Sequence, residues 1–140
     1  MKGNFFLDTN IFVYSFDENP ATKSSRANQL IRQALSTRKG MVSYQVVQEF
    51  FSLALRRAAR PMLPEEAEQY LATVFRPLLV VHSSQALYIE ALQVARRYRF
   101  AWYDALIVAG ALQAQCEVLY SEDFQHGQRL GELEIRNPFL

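Results

Sequence analysis

Short apolar runs alternate with longer segments of helical pattern along the chain. The runs at residues 4–7, 41–43 and 78–81 lack the two-residue alternation of a strand that has one face in water, which indicates strands covered on both faces. A further apolar run follows at 118–120, and residues 134–136 are a candidate for a last strand. Strands of this kind that alternate with helices are typical of a parallel sheet, so we predict an α/β fold.

The segments between the apolar runs carry helix signals. In residues 21–38 apolar side chains recur at helical spacing, and Gly40 marks the stop. A second strongly helical segment ends before Pro61, and Ser83 or Ser84 caps a later helix that reaches residue 97. The segment that ends before Pro61 is 44–59, and further helices are predicted at 11–16, 64–75 and 103–115.

Length and composition are those of one folded domain, which we place at residues 1–140. Half of the residues are hydrophobic, which excludes a largely disordered chain. The formal net charge of +1 gives no reason by itself to expect a polyanionic partner. Cys116 is the only cysteine, so it forms no internal disulfide and is expected to be a small buried side chain.

The sequence shows no targeting or membrane segment. Asp8 interrupts the first apolar run too early for the hydrophobic region of a signal peptide. No stretch approaches the roughly 18 uninterrupted apolar residues that a membrane span needs. We therefore expect a soluble, unprocessed protein in the reducing cytoplasm.

Two aspartates stand alone in apolar surroundings. Asp8 is the only charged residue between Lys2 and Asp17, and it directly follows the first predicted strand, where a helix cap and a ligand site are equally good explanations. Asp104 lies in a segment that is apolar nearly all the way round. An ionised carboxylate there costs several kcal/mol unless it has a partner, although an acid in a first helical turn also faces a favourable dipole.

Two further acids occupy positions from which they can reach the same edge of the predicted sheet. Glu49 borders an apolar helix arc that includes Phe50, and taken alone it is an ordinary boundary residue. Asp123 follows the strand at 118–120, where turn chemistry alone explains an aspartate. In open parallel sheets, however, ligands bind at the carboxyl ends of strands, and Glu49 can reach that edge.

Three or four carboxylates in one cleft repel one another and bind protons near neutral pH unless a cation compensates their charge. Ligands that are all oxygen atoms suit Mg²⁺ or Mn²⁺, whereas zinc prefers histidine and cysteine in patterns that this chain lacks. The sequence therefore predicts a Mg²⁺ or Mn²⁺ site.

Four short motifs carry a family resemblance across nearly the whole chain. They are Leu7-Asp8-Thr9-Asn10, Glu49 in the helix after the second strand, Tyr103-Asp104-Ala105-Leu106-Ile107, and Ser121-Glu122-Asp123-Phe124. In order and separation they resemble the PIN-domain nucleases. The resemblance implies a three-layer α/β/α sandwich with a central, mainly parallel sheet of four or five short strands, and Mg²⁺- or Mn²⁺-dependent cleavage of RNA.

The same resemblance assigns roles to single residues. It implies a cluster of four acids, which we call the acidic cluster: Asp8, Glu49, Asp104 and Asp123. Asp8, Asp104 and Asp123 are the implied metal ligands, and Asn10 and Ser121 are the implied polar supports. Glu122 adjoins Asp123 and either can be the outermost ligand, although the Ser-x-Asp pattern favours Asp123.

A free-standing chain of this length is most similar to the VapC-type toxins of prokaryotic toxin–antitoxin pairs. Homodimerisation and a cognate antitoxin whose C-terminal segment occupies the groove are implied by that likeness. The alternative is a catalytically inactive PIN-like module that binds protein or RNA. An aspartyl-phosphate enzyme with Asp8 as nucleophile would need a second aspartate where Asn10 stands, or a lysine near the late strand.

Two clusters of arginines are candidates for binding RNA. Arg56, with Arg57 and Arg60, and the pair Arg96 and Arg97 can hold an RNA backbone, but both clusters end helices, where solvated cations are the better explanation.

Trp102 and Tyr103 lie beside Asp104 and can stack on a base, yet aromatic residues at this density usually belong to the core. His82 and His126 have no catalytic constellation around them in the sequence, so we expect structural or surface roles.

Overall fold

A computed structural model describes residues 3–56 and 60–140, and within them it has one six-stranded sheet with helices on both sides. The elements in chain order are β1 (Phe5–Leu7), α1 (Thr9–Asp17), α2 (Ala21–Thr37), β2 (Gly40–Ser43), α3 (Tyr44–Ala54), α4 (Pro64–Tyr70), a π-helical turn (Leu71–Phe75), α5 (Arg76–Leu78), β3 (Leu79–Val81), α6 (Gln85–Tyr98), α7 (Trp102–Gln113), β4 (Val118–Tyr120), β5 (Arg129–Leu130) and β6 (Leu133–Arg136).

The sheet is mainly parallel and is centred on β1. The strand order is β3-β2-β1-β4-β6-β5, and neighbouring strands are parallel except for β5 and β6. The three residues of β1 alternate between the two faces of the sheet, and all three are buried, with Phe6 and Leu7 at 0% exposure. Both faces are therefore covered, and the predicted α/β sandwich is confirmed.

The five predicted strands are present, and the sixth, β5, escaped sequence reasoning. It has two residues and pairs with β6 through a tight turn in which Gly131 has a φ of 65°. A strand this short carries no recognisable apolar pattern. The sheet therefore has one strand more than the four or five expected.

Gly40 does not end α2, contrary to the sequence interpretation. Arg38 takes the left-handed conformation after the helix, with a φ of 60°, and Gly40 begins β2. A Cβ atom at Gly40 would lie 2.0 Å from the Cβ of Ala34. Glycine is required here because β2 and α2 approach so closely.

Two helix boundaries differ from their prediction. α3 ends at Ala54, earlier than expected, because the chain folds back so that the buried Met62 donates its backbone N–H to the carbonyl of Ala54, at 2.8 Å. The predicted continuation to residue 59 runs into residues 57–59, which lie outside the described part of the chain. The helical segment from Pro64 continues through the π-helical turn to Leu78, so β3 begins one residue later than expected.

An aromatic cluster fixes α3 against its neighbours. Phe50 is fully buried, its ring stacks on Tyr70 with centroids 4.8 Å apart, and its edge meets Phe75 at 5.4 Å. Phe12 of α1 contacts both Phe50 and Phe75. Because Phe50 is locked in the core, the preceding Glu49 is held at the core's border.

Cys116 is buried as predicted, and burial raises the pKa of its thiol to about 12. None of the helices in the described ranges combines the length and the apolar character that a membrane crossing requires.

Candidate functional site

The carboxyl ends of β1, β2 and β4 meet at one edge of the sheet because these strands are parallel. Strand order reverses at this point: β2 lies on one side of β1, and β4 lies on the other. Asp8 follows β1 and Ser121 follows β4, and the backbone N–H of Asp8 donates to the carbonyl of Tyr120 at 3.1 Å. Open α/β sheets bind ligands at such a switch point.

A cavity of about 300 Å³ opens at this edge. It is lined by all four members of the acidic cluster, together with Thr9, Asn10, Gln45, Ser52, Leu53, Tyr103 and Ile107. Folding thus brings acids from α1's cap, α3, α7 and the segment after β4 to one place.

Asp8 is 5% exposed, and both of its carboxylate oxygens accept hydrogen bonds. Oδ1 accepts from the backbone N–H of Thr9 and Oδ2 accepts from Ser121 Oγ, each at 2.7 Å. Burial raises the pKa of Asp8 to about 7; these two bonds oppose the shift, and the nearby charges of Asp123 and Glu49 add to it. Asp8 is therefore both the cap of α1 and a wall of the cavity.

Glu49 is oriented by two neighbouring side chains. Its Oε1 accepts a 2.8 Å hydrogen bond from Thr9 Oγ1, and its Oε2 accepts a longer one, 3.4 Å, from Gln45 Nε2. Both contacts hold the carboxylate at the border of the core, where it lines the cavity.

Asp104 and Asp123 belong to the C-terminal half of the chain and line the same cavity. Asp104 occupies the first turn of α7, and burial raises the pKa of its carboxyl. Burial likewise raises the pKa of Asp123, and the charges of Glu122, Asp104 and Glu49 raise it further. The backbone N–H of Asp123 donates to Ser121 Oγ at 3.1 Å, so Ser121 links the outer aspartate to Asp8.

The carboxylates share a cavity without closing around a single point. Among residues 3–56 and 60–140, no three histidine, cysteine, aspartate or glutamate side chains are close enough to form a complete ligand set. Mg²⁺ is usually held by one or two carboxylates and keeps several waters. A donor set of oxygen atoms spread around a cavity of this size therefore fits a hydrated divalent cation.

Glu122 is engaged away from the cavity. Its Oε2 pairs with Lys23 Nζ at 2.9 Å, and its Oε1 accepts hydrogen bonds from Tyr14 and from Asn10 Nδ2, the latter at 3.2 Å. Burial alone would raise the pKa of Glu122, but the bonds from Tyr14 and Lys23 bring it below its ordinary value. Of the two adjacent acids, Asp123 faces the cavity, and Asn10 supports Glu122.

Gln45 is a site residue that sequence reasoning missed. It is 4% exposed, its Nε2 donates to the backbone carbonyl of Tyr103 at 3.1 Å as well as to Glu49, and its Oε1 has no hydrogen-bond partner among the described residues. The available signal was its spacing, since Gln45 lies four residues before Glu49 on the same helical face.

The candidate RNA-binding arginines Arg56, Arg96 and Arg97 are not among the residues that line the cavity. Arg56 is exposed in the turn after α3, and Arg96 and Arg97 are exposed in the last turn of α6, with the Arg97 guanidinium 5.4 Å from the Tyr98 ring centroid. Arg57 lies outside the described residues. These positions are those of solvated helix ends.

The aromatic pair before Asp104 divides between two environments. Trp102 packs against the core, whereas Tyr103 is 66% exposed and lines the cavity, so the core interpretation is wrong for Tyr103. Neither histidine joins the acidic cluster: His82 lines a separate cavity, and His126 Nδ1 accepts from the backbone N–H of Asn137 at 2.9 Å.

Comparisons with known proteins agree with this architecture. A family model of the PIN domain matches residues 5–129. A toxin–antitoxin complex from Klebsiella pneumoniae is similar over 96% of this chain and 98% of that chain, with 18% identity and a TM-score of 0.68. VapC20 of Mycobacterium tuberculosis, a sarcin-ricin loop cleaving toxin, is similar over 86% and 90%, with 20% identity and a TM-score of 0.65.

A DNA-bound VapBC complex from Salmonella typhimurium is similar over 96% of this chain and 97% of that chain, with 17% identity and a TM-score of 0.65. At these identities the likeness shows a common fold. No curated protein matches the sequence.

The raised pKa of Asp8 predicts a pH-dependent stability in metal-free protein. The folded state holds a proton on Asp8 up to about pH 7, whereas an unfolded chain releases it near the ordinary value of 3.8. The stabilisation is fully present below pH 3.8 and is lost as pH rises to about 7, a change of at most about 4 kcal/mol. We expect urea unfolding in EDTA to show wild type losing stability relative to Asp8→Asn over this interval. Parallel stability curves for the two proteins would contradict the buried carboxyl, and the exposed Glu132→Gln serves as control.

The contacts of Glu122 and Asp123 predict different effects of removing each charge. Asp123→Asn should weaken Mn²⁺ binding about tenfold or more, because this carboxylate lines the cavity. Glu122→Gln should lower the melting temperature by removing the ionic partner of Lys23 while leaving Mn²⁺ affinity unchanged. Calorimetric titration with Mn²⁺ measures the affinity of each variant, and thermal denaturation measures its melting temperature. A larger affinity loss in Glu122→Gln than in Asp123→Asn would reverse the assignment.

Proposed function

Because the chain belongs to the PIN domain family, we propose that it is a metal-dependent endoribonuclease, which hydrolyses RNA phosphodiester bonds as the toxin of a toxin–antitoxin pair. The observation that carries this proposal is the cavity at the strand switch point, which the acidic cluster lines. We further propose that residues 1–140 are one PIN-like domain and that it acts in the cytoplasm.

We propose Mg²⁺ or Mn²⁺ as the cofactor, held mainly by Asp8 and Asp104, with Asp123 as the outer ligand. Its support is the all-oxygen donor set and the partial burial of these acids: burial raises the pKa of Asp8, Asp104 and Asp123, and neighbouring carboxylates raise the pKa of Asp8 and Asp123 further. When bound, a divalent cation compensates that charge and activates water for attack on a phosphodiester.

The chain's own residues supply position and proton transfer. Ser121 and Thr9 fix the two oxygens of Asp8, so the carboxylate keeps one orientation. Thr9 also fixes Oε1 of Glu49, while Oε2 has only the 3.4 Å contact with Gln45 among the described residues. Oε2 of Glu49 is therefore the atom proposed to accept a proton from the attacking water.

The second candidate is a catalytically inactive PIN-like module that binds protein or RNA. The observation that favours it is that Asp8 caps α1, a role for which an aspartate needs no metal. Arg56, Arg96 and Arg97 remain proposed contacts to an RNA backbone in either case, and their weight is small because they lie at solvated helix ends.

The nuclease proposal predicts that single amide substitutions abolish activity. Asp8→Asn and Asp104→Asn should each reduce Mn²⁺-dependent cleavage of RNA at least a hundredfold, because each removes an ionic ligand while keeping the side chain's shape. Sequencing of the cut ends of total RNA, with circular dichroism to confirm folding, is the measurement. Glu132→Gln should cleave like wild type, and EDTA should stop both. Undiminished cleavage by both folded variants would leave the inactive module as the better proposal.

The proposed partners are a cognate antitoxin and a second copy of the chain. Three apolar side chains on α6, Tyr88, Ile89 and Leu92, are 38%, 50% and 59% exposed, which supports an interface there. Co-expressed with the product of a short adjoining reading frame, the chain should purify as a complex that contains two toxin copies. Multi-angle light scattering measures its mass. A complex with one copy would contradict the dimer, and no complex would contradict the antitoxin.

A further inference from the structure

Tyr103 is exposed although it belongs to the most buried helix of the fold. From Ala105 to Ala111 every residue of α7 is buried, whereas Tyr103 is 66% exposed. Its side chain lines the same cavity as the acidic cluster and precedes Asp104 directly. A large aromatic face at this place is exposed at the mouth of the candidate site.

The backbone that carries this ring is held in place. The carbonyl of Tyr103 accepts a 3.1 Å hydrogen bond from Nε2 of Gln45, which is itself 4% exposed. This bond joins α3 to the first turn of α7. Tyr103 is therefore presented from a fixed backbone and not from a loop.

Other aromatic side chains lie near the start of α7. The ring of Tyr88 lies 6.2 Å from that of Trp102, and the hydroxyl groups of Tyr44 and Tyr88 are hydrogen-bonded. Tyr103 is close enough to Tyr44 to contribute to the raised pKa of the Tyr44 hydroxyl. We call Tyr44, Tyr88, Trp102 and Tyr103 the aromatic group.

The charge of the cavity determines what these rings can recognise. No lysine or arginine belongs to the cavity lining in the described part of the chain, so the lining offers no basic side chain to a nucleic acid backbone. An aromatic face stacks on any nucleobase and needs no charge. The base must be unpaired, because bases within a duplex are already stacked.

We propose that Tyr103 is a stacking platform for one unpaired nucleobase next to the phosphodiester in the acidic cavity. This inference rests on the proposed function, since it needs an RNA strand at the cavity.

The test uses a twelve-nucleotide unstructured oligoribonucleotide, and a series in which each position in turn is abasic. Binding is measured by fluorescence anisotropy in Ca²⁺ and cleavage in Mn²⁺, for wild type, Tyr103→Leu and Tyr103→Phe. Loss of one stacked base corresponds to about a tenfold change. We expect Tyr103→Leu to raise Kd and KM about tenfold with a smaller change in kcat, and Tyr103→Phe to retain wild-type values.

The abasic series separates stacking from other effects. One abasic position should weaken binding by wild type and by Tyr103→Phe about tenfold, and should cost Tyr103→Leu nothing further. Equal penalties in all three proteins would overturn the inference. A change of oligomeric mass in Tyr103→Leu, with the abasic penalty kept, would make the ring a contact between copies and also overturn it.

The two proposals fail separately. Cleavage by wild type with no effect of Tyr103→Leu would refute the platform and leave the nuclease intact. Position-specific binding without cleavage would support the platform and refute the nuclease. Absence of both binding and cleavage would refute both.

Discussion

The hydrogen bond from Ser121 to Asp8 joins the ends of the two central strands, and it holds a carboxylate where apolar packing alone would exclude one. A buried acid without partners costs several kcal/mol. Here the cost is offset by one hydroxyl donor and one backbone donor, Thr9. The same serine accepts the N–H of Asp123, so a single side chain sets the spacing between the inner and the outer acid.

Around that pair, two kinds of surface meet at one opening. On one side carboxylates share a confined volume, and burial raises the pKa of Asp8, Asp104 and Asp123. On the other side Tyr103 offers an uncharged face. Gln45 connects the two, because it contacts both Glu49 and the backbone of Tyr103. Gln45 therefore links the acidic cluster to the backbone that carries Tyr103.

The strands and the candidate acids could be predicted from the sequence because their signals are local. β1 and β4 are uninterrupted apolar runs, and Asp104 is conspicuous as a lone charge in an apolar helix. The features that could not be predicted depend on tertiary contacts. The exposure of Tyr103 and the burial of Gln45 depend on how α3 and α7 pack, and the diversion of Glu122 towards Lys23 joins residues 99 positions apart. β5 is too short for any periodic pattern to reveal it.

The outer strands of the sheet have a consequence for how copies of the chain can associate. β3 has three residues and β5 has two, so each border offers few backbone groups to a foreign strand. Continuation of the sheet from one molecule into another is thereby discouraged at both borders. Helix surfaces are therefore better suited than these strand edges to contacts between copies, because their side chains differ from one position to the next.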